Sequence, residues 1–219
     1  MDYYDLGTHS RPVTTSSKDA QLWFDRGLIW CYGFNHEEAA KCFEKAIAAD
    51  ENCAMAYWGL AYALGPNYNK PWGLFGEDER KSATQRTHDA MEKAASVLAN
   101  DSSVSPAEQA LIQALRHRYP QREAPAAADN EAKTSIWNTE YADAMSAVAA
   151  QFPDDLDIAT LYADALMNLT PWALWDIHTG KPGEGARTLE TKRVLDHALS
   201  LPTGRQHPGA LHICAPCRQ

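Results

Sequence analysis

Apolar and polar positions alternate along this chain with a helical period. Trp23, Arg26, Gly27 and Trp30 stand at i, i+3, i+4 and i+7, the spacing of one helix face. At a period of 34 the same positions hold Tyr57, Leu60, Ala61 and Leu64, and three of these four pairs match in size class. The pattern predicts a helix over 18–32, a turn at Gly33-Phe34-Asn35, and a second helix over 36–50 with Ala39, Phe43, Ala46 and Ile47 on one side. Further pairs are predicted at 53–64 with 79–98, at 106–119 with 132–152, and at 156–169 with 189–199. Ser105 is placed to cap the helix that starts at Pro106, while Pro153 and Pro202 stand where helices stop.

The sizes along these helices have a physical logic. Small residues let antiparallel helices approach, and large ones fill the holes between neighbouring hairpins. Trp23, Gly27, Trp30, Ala39, Phe43 and Ala46 fill, in order, the positions of the tetratricopeptide signature, so the chain resembles tetratricopeptide repeat proteins. Asp50-Glu51 departs from that pattern, which has Pro at this turn. The resemblance implies an all-α fold, a right-handed superhelical stack of about four antiparallel hairpins with a concave groove. It divides the chain into an N-terminal extension (1–17), a repeat domain (18–203) and a tail (204–219) that opens a fifth unit without completing it.

A narrower resemblance rests on Gly33-Phe34-Asn35-His36-Glu37-Glu38-Ala39, on the run from Cys53 to Asn69, and on His207-Pro208-Gly209-Ala210-Leu211-His212. Together they are similar to a family of longer microbial tetratricopeptide proteins. In that family the His-Pro-Gly-Ala-x-His element is followed four residues later by another His, where this chain has Pro216. The resemblance implies His36, Glu37, His207 and His212 as candidate ligands of a divalent transition metal, a donor set that suits Zn, Fe, Mn or Cu. His36 and Glu37 point about a quarter-turn apart on a helix, which leaves one of them as a direct ligand. His207 and His212 are five apart, off the i, i+4 register of one straight helix face.

Two insertions, 65–78 and 170–185, break the period between the first and second helices of their hairpins. Such turns point to one edge of a stack, so both loops are expected on one rim, beside the turn that holds His36. Asn67, Tyr68, Asn69, Trp72, Trp172 and Trp175 are the candidate ligand- or partner-binding residues of this rim. The competing expectation is that these aromatics, with Phe75, fold back and plug the stack. His178 lies near the second aromatic loop without a nucleophile beside it, and 120–130 reads as an Ala/Pro-rich spacer.

Charge narrows the partners. Twenty Lys and Arg against 29 Asp and Glu give a net charge of −9 without a basic stripe, which disfavours nucleic acid and anionic membranes. No segment reads as a signal peptide or a membrane span, which points to the cytoplasm. Cys31, Cys42 and Cys53 fall in or beside helices and read as small buried hydrophobes. Cys214-x-x-Cys217 lacks the second pair a zinc site needs. No phosphate loop, nucleophile elbow or His-Glu-x-x-His run occurs. The function expected is an interaction scaffold that takes a protein or peptide partner. The alternatives are a metal-dependent enzyme or metal-binding protein, and a chain lacking its functional half.

Overall fold

A computed structural model describes residues 3–126 and 130–215. Among these residues there are nine α-helices: α1 (Lys18–Tyr32), α2 (His36–Ala49), α3 (Ala54–Leu64), α4 (Glu77–Asn100), α5 (Pro106–Arg116), α6 (Asn130–Gln151), α7 (Leu156–Met167), α8 (Thr188–Ser200) and α9 (Pro208–Cys214). Two single-turn 3₁₀ helices (Trp72–Leu74 and Gly204–Gln206) and a two-stranded hairpin, β1 (Trp175–Asp176) with β2 (Lys181–Pro182), complete the described elements. The described residues are therefore all-α apart from one short hairpin. None of the described helices is long and apolar enough to cross a membrane.

Local chemistry sets the helix starts. The side chains of Ser17, Asn35 and Asp155 each accept a backbone N–H from the first turn that follows. Ser105 and Glu108 form a reciprocal capping box, with Pro106 as the first helical residue. His207 is an unusual cap: its ring Nδ1 accepts the Ala210 N–H at 3.1 Å. Phe34, in the turn between α1 and α2, takes a left-handed backbone (φ 58°) that a residue with a Cβ rarely adopts.

Each helix packs on its successor. In addition α1 packs on α3, α3 on α5, α7 on α9, and α1 on α9, so the first and last helices meet. The Phe43 ring of α2 lies between two glycines: a Cβ on Gly27 of α1 or Gly59 of α3 would collide with it. Every residue of α7 from Asp157 to Met167 is buried, as expected of a helix with apolar residues on all sides. Three polar residues interrupt it, Asp157, Thr160 and Asp164, and Asn168 follows as its C-cap. Their spacing of three or four places them on one face.

The insertions fold back onto the helices. Trp72 is buried, with its ring 5.1 Å from Phe75 and 6.5 Å from Trp137 of α6. Tyr68 from the first insertion and Leu174 from the second share an apolar cluster with Leu195, Ala210 and Ile213, and Phe34 and Trp175 pack against it. The two loops and the α1–α2 turn thus lie on a common side.

Candidate functional site

The polar stripe of α7 organises the interior. At its start, Asp157 Oδ1 accepts from the Tyr32 hydroxyl at 2.6 Å and lies 2.9 Å from His207 Nε2 and 3.1 Å from His9 Nε2. Arg11 donates to Asp157 Oδ2 at 3.2 Å and to both oxygens of Asp155, at 2.8 and 3.0 Å. Burial pushes the Asp157 carboxyl up, but the His207 and His9 hydrogen bonds and the Arg11 charge outweigh it, holding the carboxyl well below its usual range. The cluster borders a cleft of about 760 Å³ beneath the N-terminal segment.

His9, Asp157 and His207 place one ligand atom each within 4.8 Å of one another, the single such group found among the described residues. The hydrogen bonding assigns the protons. Because His207 Nδ1 accepts the Ala210 N–H, Nε2 carries the proton and donates to Asp157. A metal on Nε2 needs that nitrogen's lone pair and an N–H on Nδ1, which would face the Ala210 N–H and break the α9 cap. Arg11 adds a positive charge at the same carboxylate. Apart from the buried Arg11 Nε, which has no hydrogen-bond partner, the arrangement satisfies its own groups as a clasp joining the N-terminal segment, α1, α7 and α9.

Further along α7, Asp164 Oδ2 accepts from the Tyr62 hydroxyl of α3 at 2.7 Å. Its pKa is raised: burial pushes it up against the opposing Arg118 charge and the Tyr62 and Asn168 hydrogen bonds. Arg118, just past α5, is wholly buried. Its Nε donates to Asn138 Oδ1 at 3.1 Å and its guanidinium lies 5.1 Å from the centroid of the Tyr141 ring. Its Nη1 and Nη2 have no well-aligned hydrogen-bond partner, nor does the buried Tyr141 hydroxyl, and the Tyr119 hydroxyl lies beside the guanidinium. Each unsatisfied buried donor costs about 1–3 kcal/mol, and more where it is charged.

His36, at the start of α2, has both ring nitrogens shut off from solvent and unpartnered. Burial, and secondarily the Arg118 charge, push its pKa down to about 4. A cleft of about 590 Å³ on this rim is lined by His36, Glu37, Asn67 and Asn69, among others, so it gathers four residues singled out from sequence. Its apolar lining includes Ala40, Ala63, Leu64 and Phe75. Exposed ion pairs edge it: Lys41 with Glu37 at 3.1 Å, Arg86 with Glu44 at 2.7 Å, and Lys70 with Glu79.

The four metal candidates do not form one cluster. His36 sits within reach of a buried guanidinium, which repels a cation. The Glu37 side chain is 86% exposed and pairs with Lys41. His207 belongs to the clasp, and His212 Nδ1 donates to the Tyr32 carbonyl. Phe34 stands beside both remaining histidines, its ring 6.2 Å from His36 and 4.8 Å from His212. Among the aromatic-loop candidates, Tyr68 and Trp72 are buried in the protein's own core, Trp175 is half-buried and Trp172 is exposed. Asn67 is also buried, its side-chain oxygen accepting the backbone N–H groups of Asn69 and Lys70. His178 is exposed on the β-hairpin turn. Cys31, Cys42, Cys53 and Cys214 are free and buried, while Pro216 and Cys217 lie outside the described residues.

His9, Arg11, Tyr32, Asp157 and Arg118 carry the interior chemistry, and the periodicity does not single them out. One signal was present: Asp157 and Asp164 stand seven apart in an otherwise apolar helix, which aligns them on one face. No protein-family model, curated protein or solved structure matches the chain.

Proposed function

We propose that this chain is a helical-repeat interaction module of the tetratricopeptide type, with its binding surface at the rim cleft rather than along the inner faces of the first helices. The observation that carries the reading is the composition of that cleft: an apolar floor edged by exposed, exchangeable ion pairs. Exposed pairs of this kind contribute little to stability, so a partner can replace them at small cost. An extended peptide with alternating apolar and charged residues matches such a lining. The inner ends of α1 and α3 are already engaged, since Tyr32 and Tyr62 bond to α7.

The test is to pan a displayed library of random peptides against the whole chain. Enriched peptides should weaken at least about tenfold against a Lys41→Glu, Arg86→Glu double variant, the range expected for losing charge-assisted contacts. They should be unaffected by Arg193→Glu on α8. Equal binding to wild type and the cleft variant removes the cleft from the reading, and no enrichment removes the peptide module.

A further inference from the structure

The donors around Arg118 outnumber their acceptors. Nη1 and Nη2 of the guanidinium and the Tyr141 hydroxyl are buried without a hydrogen-bond partner, and the buried Tyr119 hydroxyl lies beside the same guanidinium. Asp164 is the acid whose charge acts on Arg118, and its Oδ2 is already taken by the Tyr62 hydroxyl at 2.7 Å. Asn138 satisfies only Nε. The free face of a guanidinium is a planar fork that matches two coplanar oxygens.

We infer that Arg118, Tyr119 and Tyr141 form an enclosed receptor for one small planar oxyanion of the carboxylate or bicarbonate type. Such an anion supplies the acceptors that the donor set lacks. The fork takes two oxygens, and the hydroxyls can turn their protons to the same atoms. The Tyr141 ring holds the guanidinium by a cation–π contact, 5.1 Å from Cζ to the ring centroid. Complete burial of Arg118 limits the guest to a few heavy atoms and excludes the end of a polypeptide.

Gly65 stands between the Tyr119 hydroxyl and the rim cleft. A Cβ at this position would overlap the Tyr119 hydroxyl, so glycine alone lets that hydroxyl lie against the backbone. Gly65 also lines the rim cleft, together with His36. The hydroxyl therefore sits directly behind the cleft floor, and the anion site adjoins the cleft without depending on a peptide partner there. Asp164 is the one buried acid nearby, and its Tyr62 hydrogen bond directs it toward α3.

Calorimetry and thermal unfolding of the full chain, with sodium formate, bicarbonate, nitrate and chloride as probes, test this assignment. Expected is saturable binding of the planar oxyanions with a matching rise in Tm, chloride being weaker by about tenfold or more for want of a second acceptor atom. Arg118→Met should abolish the response, and Tyr119→Phe and Tyr141→Phe should each weaken it by about tenfold. Should Arg118→Met fail to fold, the two Phe variants decide, because each removes only a hydroxyl. Absence of saturable binding, chloride equal to formate, or unchanged affinity in both Phe variants overturns the assignment. Peptide binding to the rim cleft is measured separately, so either reading can fail alone.

Discussion

His36 shows how one side chain ties this protein's stability to pH. Its folded pKa of about 4 lies below the ordinary 6.5, so the unfolded chain binds the proton more readily. The stability that depends on neutral His36 is complete above pH 6.5 and declines as the pH falls toward 4, by up to about 3 kcal/mol for those two values. Denaturation at pH 7 and pH 4.5 should show this loss in wild type and a smaller one in His36→Leu; parallel losses would exclude His36 as its source. Asp157 acts in a lower window. Its depressed carboxyl contributes above its ordinary 3.8, and that contribution disappears as the pH falls through the folded value. His36 was visible in the sequence as a candidate. Its unpartnered nitrogens were not, because they depend on residues distant in sequence, among them Leu64, Gly65 and Arg118.

At the scale of elements, the helix-starting signals read from sequence agree with the structure where they rest on local chemistry. Ser105 caps α5, and the turn at 33–35 separates α1 from α2. The contact that decides the spacing of α1 and α3 is the Phe43 ring between Gly27 and Gly59. Gly27 was legible from the repeat, whereas Gly59 lies outside the period-34 match. Gly59→Ala should cost about 1–3 kcal/mol, since its methyl meets a wholly buried ring that has no free space. Adding Phe43→Leu should recover part of that loss in a double-mutant cycle; strictly additive losses would mean that ring and methyl do not meet.

The whole molecule is closed by contact between its two ends. Residues 9–11 lie across the start of α7, while α9 packs on both α1 and α7. Gly209 makes this fit possible, for a Cβ there would strike Thr160 of α7 and the Tyr32 ring of α1. Asp157→Ala removes the shared acceptor of four groups and should cost about 3–5 kcal/mol. His207→Asn keeps a side-chain acceptor for the α9 cap and loses one bond to a charged group, about 1.5–3 kcal/mol. Urea unfolding should give losses in that order, with amide exchange accelerated in both α1 and α9. Equal losses, or exchange confined to α9, would refute a clasp shared between the two ends.

The sequence by itself determined the helices, their pairing into hairpins and the all-α class, because periodicity, caps and proline stops act within one or two turns of chain. It also marked the side where the two insertions and the α1–α2 turn meet, since both insertions fall between paired helices. Only the tertiary structure decided what the polar residues do. His9, Tyr32, Asp157 and His207 are up to 198 residues apart in sequence, yet they share one carboxylate. Arg118 becomes a buried fork only once α5 and α6 enclose it. Hydrogen bonds between distant side chains leave no periodic trace, and burial of a charge is a property of everything packed around it.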